Sequence, residues 1–153
     1  MTLYELQEAV KRRIKEIAED AAFHDLQVYI RNPPILKYEG DADKYFPRCV
    51  VGLETGVDEI ESSSVEVTLT FGTLDKQPEL KGYQEICHLI EMTRLSLAER
   101  PQIEGFEIQK PIHFTLGSLE RETYPYFYGA VWFDILIPSP QRGYNDLVWR
   151  RNI

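Results

Sequence analysis

The segment 124–140, reading YPYFYGAVWFDILIPSP, constrains the fold of this chain more than any other stretch. Aromatic residues open it, an apolar run from Ala130 to Ile137 continues it, and Pro138 and Pro140 close it. Such a run reads as a strand buried on at least one face, stopped by prolines that have no N–H for a β ladder. It is followed by a segment, 141–153, that still carries Tyr144, Leu147, Val148 and Trp149. A terminal segment that stays this apolar is expected to dock, on its own domain or on a neighbour.

Periodicity supplies the other elements. Thr2 and Glu5 have capping-box spacing, and Leu3, Leu6, Val10, Ile14, Ile17 and Ala21 form one apolar stripe, which predicts a helix over 3–21. Lys11, Arg12, Arg13 and Lys15 are expected on its solvated faces. A short strand is expected over 26–30 and a second over 46–54, opened by Pro47, with an acidic loop over 55–61. Val65, Val67, Leu69 and Phe71 alternate with Glu66, Thr68 and Thr70, the signature of a strand with one wet face. After a connector over 72–82, Tyr83, Ile86, Cys87, Ile90 and Leu97 predict a helix over 82–99, its apolar arc widened by Leu89 and Leu95. A strand over 106–114 contains Pro111, which should confine it to an edge or a bulge. Gly52, Gly56 and Gly72 read as bulge and turn residues. The expected class is α+β, a mostly antiparallel sheet with the N-terminal helix and a second helix packed on one face. One domain over 1–140 and a tail over 141–153 suit the length of 153 residues.

Composition narrows the chemistry. The net charge of -8 argues against general affinity for phosphate backbones, which comes from Lys and Arg displacing counterions. No apolar run approaches the length of a membrane span, and the first residues lack the apolar core of a signal peptide, so a cytoplasmic, soluble chain is expected. Cys49 and Cys87, without CxxC spacing, are expected as reduced, buried thiols. His24, His88 and His113 fall in no metal-ligand pattern. Asp75, Glu79 and Lys81 have the order of a metal-dependent nuclease skeleton, but the ExK lies in a turn and not on a strand. No phosphate loop, dinucleotide fingerprint or nucleophile elbow occurs. The expectation is no enzyme, no metal and no cofactor.

In order and texture the chain resembles the tail terminator, or tail completion, proteins of long-tailed bacteriophages and prophages. The likeness runs from about Thr2 to Pro140 and has four parts: the amphipathic first helix leading to FPRCVVGLETG, the alternating VEVTLTF, the helix GYQEICHLIEMTRLSL, and the closing block FEIQKPIHFTLGSLERETYPYFYGAVWFDILIPSP. The resemblance implies an α+β virion subunit that forms a hexameric ring, caps the tail tube and meets the head connector. DNA would pass through such a ring without being specifically bound, helped by an acidic lumen. Expected contacts are Glu54, Asp58, Glu59 and Glu61 toward tube or lumen, and Tyr124, Tyr126, Tyr144, Leu147 and Trp149 toward protomers or neck. The alternatives are another neck or head-closure adaptor, or a small metal-dependent nuclease or hydrolase.

Overall fold

The computed structural model describes residues 2–33, 44–76, 81–117 and 125–138. Helix α1 (Leu3–Asp20) starts where the capping box predicts: Thr2 Oγ1 accepts from the Glu5 amide at 3.1 Å, and the Glu5 carboxylate accepts from the Thr2 amide at 3.1 Å. Then come β1 (Gln27–Ile30), β2 (Arg48–Asp58), β3 (Ser63–Leu74), α2 (Lys81–Glu99), β4 (Gln102–Ile103), β5 (Phe106–Thr115) and β6 (Tyr126–Ile137). The six strands form one sheet in the order β1-β2-β3-β6-β5-β4. Every pairing is antiparallel except β1 with β2. The α+β class therefore holds, with the apolar strand β6 inside the sheet between β3 and β5, where its hydrophobic run can be buried.

Register decides which face is dry. Val51, Leu69 and Val131 lie in one row, and Val67 with Phe133 and Val65 with Ile135 in the next rows. All are buried beneath the two helices together with Leu6, Val10, Ile14, Ile86, Leu89 and Ile90. Gly129 lies on this face because α2 comes close: a Cβ there would stand 2.3 Å from Ile90 Cδ1 and 2.9 Å from Ile86 Cγ2. Among the described residues, no helix is long and apolar enough to cross a membrane.

Several expectations change. Residues 55–58 continue β2 instead of forming a loop, because Gly56, Val57 and Asp58 pair with β3 after a bulge between Leu53 and Gly56. Gly56 is thus a bulge residue, but Gly72 is interior to β3, opposite Arg48 and Tyr128, not in a turn. Pro111 falls inside a register shift between Gln109 and His113, the bulge expected of it. Arg13 is not solvated. It is 6% exposed, and its guanidinium donates to the backbone oxygens of Ser96, Gln102 and Arg100 at 2.9, 3.0 and 3.0 Å. The last turn of α2 holds no basic residue of its own, so Arg13 supplies the positive charge its exposed carbonyls favour. Leu3 and Leu95, counted in the apolar stripes, are about half exposed.

Candidate functional site: two unlike patches at the ends of the sheet

The β2–β3 hairpin forms the first patch. β2 is paired with β1 only over Arg48–Val51, so from Gly52 onward its outer side meets no strand among the described residues. Glu54 and Asp58 lie in this outer half, and Glu59 and Glu61 lie in the turn, which the Glu59 amide closes onto the Ser62 carbonyl at 2.7 Å. All four carboxylates are exposed, and no basic residue occurs between them. Val57 is 51% exposed and Ile60 is 99% exposed. Ile60 thus leaves an apolar side chain in water at the tip of an acidic turn. Its exposure is a feature of the hairpin tip that charge patterning alone does not reveal.

The second patch lies at the other end of the sheet, where β6 begins. Tyr126 pairs with Leu74 across the β3–β6 ladder, and its ring lies 5.2 Å from Phe46 and 6.4 Å from Tyr128. The Phe46 ring also meets Tyr128 edge-on at 6.4 Å and carries the Arg48 guanidinium 4.3 Å above it. These side chains occupy the sheet face turned away from the helices. Gly72 permits the arrangement, since a Cβ there would stand 2.9 Å from the Phe46 ring and 3.1 Å from that of Tyr128. Further along the same face Trp132 stacks on His113, its cross-strand partner, at 5.3 Å. Of the nine expected contact residues, the hairpin gathers Glu54, Asp58, Glu59 and Glu61, and Tyr126 belongs to the aromatic patch. Tyr124, Tyr144, Leu147 and Trp149 lie outside the described residues.

Groups considered for catalysis do not converge. His24 sits 3.2 Å from the Glu19 carboxylate, His88 packs on Phe23 at 5.3 Å, and His113 is held by Trp132. Cys49 is buried among apolar side chains, which pushes its thiol well above the usual range, while Cys87 is only half-buried, contrary to the expectation of two buried thiols. In the nuclease-like triplet, the Asp75 carboxylate accepts from the Gly82 amide at 3.0 Å, an N-terminal contact of α2. Lys81 begins that helix, and Glu79 lies outside the described residues. A cleft of about 350 Å³ is lined by Phe46, Pro47, Thr73, Asp75, Lys76 and Glu85. Burial raises the Glu85 carboxyl, helped by Asp25 and Asp75 and opposed by Lys81. Among the described residues no three His, Cys, Asp or Glu side chains are grouped to hold a metal ion. Compared with known proteins, the chain matches no family model and no curated protein.

Proposed function

We propose that this chain is a non-enzymatic structural subunit of a phage tail, acting as a ring that caps the tail tube and joins tail to head. The observation that carries the reading is the presence of two chemically unlike patches at opposite ends of one sheet. One is acidic with the bare Ile60 at its tip, and the other is aromatic with Arg48 on Phe46. Eleven residue steps of β3 separate their rows, roughly 35 Å. A closed ring needs two different complementary surfaces per subunit, and a joint between tube and connector needs two different ends. The resemblance over Thr2 to Pro140 names the kind of ring.

In this reading the hairpin faces the tube or the lumen, where its carboxylates repel passing DNA. The test is solution mass by light scattering across concentration, alone and with the tail-tube protein added. A closed hexamer, alone or on the tube, is the expected result. A monomer indifferent to the tube overturns the reading. Reversing Glu59 and Glu61 to lysine should impair tail joining while leaving the urea midpoint in place, and unchanged joining would remove the hairpin from the contact.

A further inference from the structure

Arg13 is a buried charge whose hydrogen bonds all go to neutral groups. Its guanidinium donates to the backbone oxygens of Ser96, Arg100 and Gln102 and to Ser96 Oγ, and among the described residues no carboxylate bonds it. Its Nε–H is buried and meets no acceptor among them. Buried charges are ordinarily paired, because taking an ion out of water is costly. Arg13 also stands beside a second cation: burial lowers its pKa most, repulsion from Arg100 adds to this, and Glu16 opposes. The same side chain lines a cleft of about 240 Å³ with Arg12, Arg100, Glu16, Gln102 and Glu104. Three arginines against two carboxylates leave that cleft net positive, on a chain whose net charge is -8. By contrast, the cleft beside Phe46 has Asp75 and Glu85 against Lys76, and the groove between α1 and α2 has Glu16, Asp20 and Glu99 against Arg100. Positive charge is therefore gathered where a buried donor has no acceptor. We propose that this cleft binds one small oxyanion, a carboxylate or a phosphate group, between the Arg13 Nε–H and the Arg100 guanidinium.

Three elements meet at this cleft. Arg12 and Arg13 are consecutive in α1, Arg100 follows α2, and Gln102 and Ile103 form β4. The bonds from Arg13 to the Arg100 and Gln102 oxygens fix the junction, so its Nε–H is a rigidly held donor. Arg12 and Arg100 are more than half exposed and can re-aim as an anion enters. Arg12 holds the Glu104 carboxylate at 2.9 and 3.1 Å, and Arg100 Nη2 holds Glu16 at 2.8 Å. A guanidinium has more donors than one such bond uses, so Arg100 can keep Glu16 and take a second anion beside it. The volume lies below the roughly 300 Å³ at which pockets for drug-sized ligands begin, which suits a single oxyanion group instead of a whole nucleotide. The inference stands apart from the ring reading, since every residue involved belongs to one subunit.

The test uses the full chain and follows the Arg13 Nε–H cross-peak in proton–nitrogen NMR spectra. Inorganic phosphate and sodium acetate are titrated separately, against sodium chloride at matched ionic strength. At least one of the two oxyanions should shift the peak saturably in the low millimolar range and raise the urea midpoint, while chloride does neither. Tighter phosphate assigns the site to phosphate groups, and tighter acetate assigns it to carboxylates. Arg100→Gln removes a donor but leaves the backbone oxygen that Arg13 uses, and should weaken binding by about fivefold or more. Glu104→Gln removes the carboxylate that competes for Arg12, and should tighten binding by about threefold. These opposite directions separate a built site from general screening. A peak that does not move, or moves equally with chloride, overturns the proposal. Binding that neither variant changes overturns it too.

Discussion

Replacing Arg13 by methionine keeps an apolar stem of similar length and removes the fork that ties α1 to the end of α2. The guanidinium donates to three backbone oxygens and to Ser96 Oγ at 3.2 Å. Ser96 O keeps a second donor, the Arg100 amide at 2.9 Å, so its loss matters least. The Gln102 and Arg100 oxygens lose a charged donor each, and such bonds are worth about 1.5–3 kcal/mol apiece. Two effects reduce the sum. Burial lowers the Arg13 pKa, with repulsion from Arg100 second and Glu16 opposing, so the charge carries a desolvation cost that methionine removes. A neighbouring cleft of about 240 Å³, lined by Arg12, Glu16, Gln102 and Glu104 among others, lets water reach the abandoned carbonyls. We expect a net loss of about 2–3 kcal/mol, a large share of the roughly 5–15 kcal/mol that holds a domain together. Arg13→Lys should recover less than half, because one ammonium cannot span oxygens that the planar fork reaches together. Urea unfolding followed by far-UV circular dichroism measures both variants. A methionine variant within about 0.5 kcal/mol of the parent would refute the reasoning, since desolvation would then cancel the bonds.

Gly129→Ala should cost about 1–3 kcal/mol, because its Cβ would press on Ile90 and Ile86 in a filled core; an unchanged melting temperature would show that these side chains yield freely. With a thiol reagent, Cys87 should react in the native protein and Cys49 only after unfolding, read as the count of thiols modified before and after denaturant. Glu85→Gln should stabilise at neutral pH and lose that advantage in acid. The carboxyl is raised from its ordinary 4.5, so the folded state binds the proton more tightly. Its unfavourable contribution is absent below that value and complete above the raised one, and the variant and parent urea midpoints should converge as pH falls through this window. Equal midpoints at every pH would remove the burial argument for that side chain.

Local chemistry made much of the fold legible. The Thr2–Glu5 box, the stripe through Leu6, Val10, Ile14 and Ile17, and the alternation from Val65 to Phe71 all depend on neighbours a few residues away. Pro111 announced its bulge for the same reason, a missing donor in one strand. Arg13 was misread because its partners, Ser96, Arg100 and Gln102, are more than eighty positions distant and nothing in the helix pattern distinguishes it from Arg12. The acidic stretch after Glu54 looked like a loop because bulges and charges weaken strand patterning, and only pairing with β3 keeps it extended. The aromatic patch needed Phe46, which precedes β2, to meet Tyr126 of β6, two strands away in the sheet and eighty positions along the chain. By itself, then, the order of residues determined the two helices, the cores of the longer strands with most of their dry faces, and the acidic character of 54–61, since these follow from 3.6- and 2-residue periods and from charge. Only tertiary structure decided the strand order, the parallel β1–β2 contact and the exposure of Ile60, because these depend on which distant surfaces exclude water together.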